Sequence, residues 1–116
     1  FEFFSEKAMG HVLARGGISR PFATPAPFYA LLEFEAISDK TVDEAMQLFE
    51  QCTEAGWVVD GVMSQSSTQA RSLWRLREDI SESISKHTPY KNDISVTVSR
   101  VPAFLEEIDQ LVAEIL

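Results

Sequence analysis

The sequence predicts an α+β fold of the open-faced sandwich type, with a mostly antiparallel sheet covered by helices on one face. Three observations lead there. Three stretches alternate apolar and polar residues, as half-buried strands do, whereas a parallel sheet buried on both faces would need continuous apolar runs. Four other stretches space their apolar residues by three and four, as amphipathic helices do. The two kinds interleave in the order α β α β α β α over 116 residues, about one domain's worth of chain.

Residues 5–15 read as a helix with Ser5 as N-cap and Gly16-Gly17 as its stop. Pro21, Pro25 and Pro27 make residues 18–27 an extended loop. Residues 28–37 follow as a strand, Phe28, Ala30, Leu32 and Phe34 alternating with Tyr29, Leu31, Glu33 and Glu35. Residues 41–55 form the next helix, opened by a Thr41-x-x-Glu44 capping box and closed by Gly56. Its apolar face is Val42, Ala45, Met46, Phe49 and Cys52. Residues 57–64 read as a second strand, with Gly61 marking a bulge or bend. Residues 67–86 form the longest helix, capped by Ser67, with Leu73, Leu76, Ile80 and Ile84 as its core stripe. In residues 92–99, Ile94, Val96 and Val98 face one way and Asp93, Ser95, Thr97 and Ser99 the other, the clearest strand pattern in the chain. Residues 101–116 are a final amphipathic helix with Pro102 in its first turn. Strands with one polar face favour a ferredoxin-like sandwich over a doubly wound fold.

Composition narrows the function. Hydrophobic residues make up 45% of the chain and charged residues 24%, which excludes intrinsic disorder. No apolar run approaches the ~20 residues that span a bilayer. The opening Phe1-Glu2-Phe3-Phe4 has neither an initiator Met nor the basic and apolar regions of a signal peptide, so residues 1–116 are expected to be a single domain, part of something longer. Eighteen acidic against ten basic side chains give a net charge of −8, which argues against nucleic acid and anionic lipid as partners. Within this acidic chain, Arg71, Arg75, Arg77, Lys86 and Lys91 gather half of all basic residues into one segment. Such a segment either steers a small anion to one place or is a helix with mixed, solvated charges. Cys52 is the only cysteine, so no internal disulfide forms and a reducing, cytoplasmic setting is expected.

Dinucleotide, phosphate, zinc-protease and nucleophile-elbow motifs are all absent. His11 and His87 have no ligand-spaced partner, so each is expected on a surface or loop and no metal site is assigned. One constellation remains. Arg77 and Ser81 lie four apart on one helix, and Trp74 lies beside Arg77. Lys91 leads into the 92–99 strand, with Asp93 on the same face. If that strand packs beside the helix, a guanidinium fork, a hydroxyl and an ammonium converge, a set suited to a small carboxylate. In the alternative, Arg77 pairs with Glu78, Glu82 or Asp93 and Lys91 points to water.

The same residues carry a resemblance. Trp74-x-x-Arg77-Glu78, then Tyr90-Lys91-x-Asp93-Ile94-Ser95-Val96, then Val101-Pro102, resembles the C-terminal domain of FAD-linked oxidases. The branch is that of D-lactate dehydrogenases, glycolate oxidase subunits and D-2-hydroxyglutarate dehydrogenases. Pro27-Phe28-Tyr29 leading into Leu32-Glu33-Phe34, and Asp60-Gly61-Val62 followed by Ser64-Gln65-Ser66, extend the similarity over nearly the whole chain. The resemblance implies a longer flavoenzyme that oxidises a 2-hydroxy acid to a 2-oxo acid, passing hydride to flavin. It implies FAD held mainly by a separate N-terminal domain, with the present domain capping the flavin ring and lining the substrate pocket. By the same resemblance Arg77, Ser81 and Lys91 bind substrate carboxylate, supported by Trp74, Glu78 and Asp93. No catalytic residue is expected in this segment, and alone it should be inert and hold FAD weakly or not at all. A divalent metal in the longer protein would be bound by a Gly-His-x-Gly-Asp-Gly-Asn-x-His segment expected beyond Leu116. Thr97 stands where the family often has proline, which changes strand-edge pairing more than chemistry. The competing expectation is a non-enzymatic ferredoxin-like module that binds a small molecule or dimerises through its exposed sheet face. Peripheral membrane association of the longer protein stays open.

Overall fold

The computed structural model describes all 116 residues. Two short antiparallel strands, β1 (Glu2–Ser5) and β2 (Phe28–Leu31), form its only sheet. Five helices follow the chain: α1 (Glu6–Ala14), α2 (Asp39–Glu54), α3 (Ser67–Glu78), α4 (Ile80–Ile84) and α5 (Val101–Ile115). The fold is therefore α+β, and one face of the ribbon is covered while the other stays open.

The register explains the two faces. Phe4 lies opposite Tyr29 and Glu2 opposite Leu31, so these four share a face by the two-residue period of a strand. Helices α1 and α3 pack there: Phe4 and Tyr29 stack with ring centres 5.8 Å apart and meet Met9 and Leu76 in the core. On the other face, Phe3 and Phe28 touch edge to face and remain 44% and 49% exposed.

Local chemistry sets most helix ends. Ser5 caps α1, its Oγ accepting from the Ala8 N–H at 3.1 Å, and Gly16 and Gly17 take left-handed conformations just beyond it. Helix α2 begins one turn earlier than the capping box implies, at Asp39 after Ser38. Thr41 is thus inside the helix, and Glu44 forms an ion pair with Lys40 at 3.6 Å. Ser66, one residue before the expected cap, caps α3 by accepting from the Gln69 N–H at 3.1 Å. The long helix of 67–86 is interrupted at Asp79. There the buried Ser83 donates both its N–H (3.0 Å) and its hydroxyl (2.7 Å) to the Asp79 carbonyl, a back-bond that bends helices.

The element order differs from the alternating pattern at three places. The strand at Glu2–Ser5 was not anticipated, being four residues at the edge of a helix signal. Residues 57–64 are not a strand: Trp57 and Val58 both donate back to the Cys52 carbonyl, prolonging the end of α2. Gly61 serves a close approach there, since a Cβ at this position would lie 2.6 Å from Cε2 of Phe49. Residues 92–97 pair with no strand, and 98–100 form a single 3-10 turn before α5. Alternation gives a segment strand geometry, but a strand exists only where a neighbour takes its N–H and C=O groups. The expected strand at 28–37 shows the same limit: only Phe28–Leu31, which faces β1, is paired.

Candidate functional site

The helix-covered face of the ribbon brings two carboxylates to α3. Glu2 sits on β1 beside Phe4, on a face that is otherwise apolar, where an unpaired carboxylate would be costly. Its Oε2 lies 2.6 Å from Nε of Arg77. Each side chain of the pair remains 41% exposed, so the cation is fixed at an accessible place. Just beyond β2, Glu33 accepts a hydrogen bond from the Trp74 indole N–H at 3.3 Å. Trp74 and Arg77, three apart on α3, are thus each held by an acid from the ribbon.

The remaining expected residues are reached less directly. Ser81 is exposed on α4, four residues after Arg77. Lys91 and Asp93 lie in the unpaired segment before α5, both exposed, and Glu78 is exposed at the end of α3. No ion pair joins Lys91 to any acid. The partner of Arg77 is Glu2, outside the three acids considered from spacing. A single acid amid Phe1, Phe3 and Phe4 was the available signal, because such a residue must find a cation. Of the other basic residues of this segment, Arg75 pairs with Asp79 at 3.2 Å.

Three further clusters of polar side chains are formed. Arg20 donates to both carboxylate oxygens of Glu6, at 2.7 and 3.1 Å, and Tyr29 donates its hydroxyl proton to Glu6. The hydrogen bond from Arg20, then that from Tyr29, holds the Glu6 carboxyl below its ordinary value. The Tyr29 hydroxyl is pushed up, chiefly by its bond to Glu6 and then by burial. Asp60 accepts from Thr24 Oγ1 at 2.6 Å and from the Gly61 N–H at 2.8 Å, which ties the proline-rich loop to the segment after α2 and lowers the Asp60 carboxyl. His11 and His87, each expected on a surface or loop, meet with ring centres 5.1 Å apart, and Arg15 and Glu82 form an ion pair at 3.0 Å. No group of three His, Cys, Asp or Glu side chains is placed to hold a metal ion.

Two grooves of about 300 and 320 Å³ open on the surface. Leu32, Phe34, Ala45 and Leu48 line the first, with Glu33 and Glu44. Phe3, Ile94, Val96, Phe104 and Leu105 line the second. Neither contains a cation, and the first is acidic, so neither can hold a pyrophosphate. Neither groove fits a dinucleotide cradle. No helix is long and apolar enough to cross a membrane.

A half-covered two-stranded ribbon, its cations gathered along α3 and the segment beyond it, defines an α+β module with open apolar faces. The family described as FAD linked oxidases, C-terminal domain, matches residues 1–115, and the chain belongs to it. FAD is the cofactor of that family. Over 114 residues the chain is 62% identical to a D-2-hydroxyglutarate dehydrogenase of Stutzerimonas stutzeri (strain A1501), covering 98% of this chain and 25% of that protein. A D-2-hydroxyglutarate dehydrogenase of Xanthomonas citri pv. viticola is 52% identical over 111 residues, 96% of this chain and 23% of that protein. A mitochondrial D-2-hydroxyglutarate dehydrogenase of Arabidopsis thaliana is 38% identical over 105 residues, 87% and 19% of the two chains. The chain thus spans about a quarter or less of the length of these relatives. No solved structure matches.

Proposed function

We propose that this chain is the carboxylate-binding wall of an FAD-linked dehydrogenase that oxidises a 2-hydroxy dicarboxylate, D-2-hydroxyglutarate, to the 2-oxo acid. The observation that carries the reading is Arg77: a half-exposed guanidinium, anchored on the ribbon side and standing in the Trp74-x-x-Arg77-Glu78 motif. Its planar fork suits bidentate capture of a carboxylate. Ser81 adds a neutral hydroxyl donor one turn on, and Lys91 a mobile point charge for the second carboxylate. Trp74, held by Glu33, stands three residues before Arg77 on the same helix, and Glu78 and Asp93 add acids next to Arg77 and two residues after Lys91. Orientation of the substrate is the work of these residues; the redox chemistry is that of the FAD when it is bound. The flavin is held by the remainder of the longer protein, which also covers the open faces of this chain. Apolar residues of α2, α5 and the outer ribbon face are exposed, and the relatives are about four times longer. The charge of −8 carried by each copy opposes self-association through those faces. A cytoplasmic setting agrees with the single free Cys52.

Steady-state kinetics of the full-length protein tests this. Arg77→Ala is expected to lower kcat/KM for D-2-hydroxyglutarate on the order of 100-fold, as loss of a paired charge does. Lys91→Ala should weaken D-2-hydroxyglutarate roughly 10-fold while leaving D-lactate, which has one carboxylate, within about threefold. Equal losses on both acids in Lys91→Ala would remove the dicarboxylate assignment.

A further inference from the structure

We propose that Glu2 is a positioning residue for the carboxylate site: its oxygen holds the Arg77 guanidinium at Nε while leaving the two Nη groups for substrate. The inference rests on Arg77 binding the substrate carboxylate. Its observation is the atom at which the ion pair closes. Glu2 Oε2, a buried oxygen, lies 2.6 Å from Arg77 Nε. A buried carboxylate oxygen is costly without a partner, and the guanidinium is the partner it has. Arg20 turns both of its Nη groups onto Glu6. Arg77 instead meets Glu2 at Nε. The pair also stands at a rigid place. Glu2 is fixed on β1 by pairing with Leu31, and Arg77 follows the buried Leu76 on α3. A guanidinium held in this way loses little freedom when it meets a carboxylate, which is how preorganisation raises affinity.

The carboxylate of Glu2 has a second, opposite effect. It repels an anionic substrate, so if it acted only through its charge, removing it would tighten binding. Two substitutions separate the effects. Glu2→Gln removes the charge but keeps an oxygen against Arg77, whereas Glu2→Ala removes both. In the full-length flavoprotein, with D-2-hydroxyglutarate as substrate, Glu2→Ala is expected to raise KM about 10-fold or more with kcat changed less than threefold. Glu2→Gln should stay within about threefold of the parent protein in both constants, a rescue that loss of charge alone does not allow. A KM for Glu2→Ala equal to or below that of the parent overturns the proposal. So does an equal loss in both variants, or a loss confined to kcat. Arg77→Ala in the same series keeps the two ideas apart. If it leaves KM unchanged, the carboxylate site itself is wrong. If it raises KM while Glu2→Ala does not, only the positioning role fails.

Discussion

At Glu6, three parts of the chain converge on one carboxylate: its own helix α1, the loop through Arg20, and β2 through Tyr29. The pKa directions fix how stability should vary with pH. Glu6 is depressed, so its contribution is complete above the unfolded value of about 4.5 and is lost as pH falls through the folded one. Tyr29 is raised, so its contribution is complete below about 10 and is lost as pH rises through the higher folded value. Thermal melts of the 116-residue chain should therefore decline at both ends. Tyr29→Phe is expected to remove the alkaline decline and to cost about 1.5–3 kcal/mol at neutral pH, the worth of a hydrogen bond to a charged group. A Tyr29→Phe chain as stable as the parent at pH 7 would show the contact to be idle. None of this network was visible in sequence, because Glu6, Arg20 and Tyr29 follow no local spacing. The pairing of Arg77 was partly visible: the need of the guanidinium for an acid was clear, but the acid came from a strand 75 positions earlier.

Helices were legible where their signals are local, and strands only in part, β2 being the start of the expected 28–37 strand, because a strand depends on a partner elsewhere. Ser5, Gly16 and Gly56 mark helix ends as their chemistry dictates, and the apolar spacing of α1, α2, α3 and α5 holds. The break at Asp79 escaped notice, since a back-bonding Ser83 differs from any solvent-facing serine only by its burial. Residues 57–64 and 92–99 have strand chemistry without a neighbour. Amide hydrogen exchange tests this account of them. Amides of Ile94 and Val96 should exchange at nearly unprotected rates in the 116-residue chain and become protected in the full-length protein. Protection already present in the short chain would mean that the segment pairs within it. Gly61 belongs to the same scale. Gly61→Ala should destabilise the chain by roughly 1 kcal/mol through the Phe49 ring, and Phe49→Leu should largely restore the loss. Additive losses in the double variant would dissociate Gly61 from Phe49.

For the whole molecule, surface and size describe a unit built to be covered. The accessible surface is 9320 Å², where a compact chain of this length exposes roughly 6300 Å². The radius of gyration is 16.2 Å against about 13 Å. Helices α2 and α5 bury no residue, although both have apolar stripes. The fold class and the membership of the FAD-linked oxidases were legible because motifs and periodicity survive in a part of a longer chain. The convergence of Lys91 on Arg77 was expected only if the 92–99 segment pairs as a strand beside the helix, and the sheet here has two strands, β1 and β2. The central claim is that Arg77 holds the substrate of a flavin-dependent dehydrogenase. Anaerobic mixing of the full-length protein with D-2-hydroxyglutarate, followed at the flavin absorption band, tests it most directly. The account predicts rapid bleaching in the parent protein, and in Arg77→Ala bleaching that needs on the order of 100-fold more substrate. Bleaching of Arg77→Ala at the same substrate concentration as the parent would contradict it.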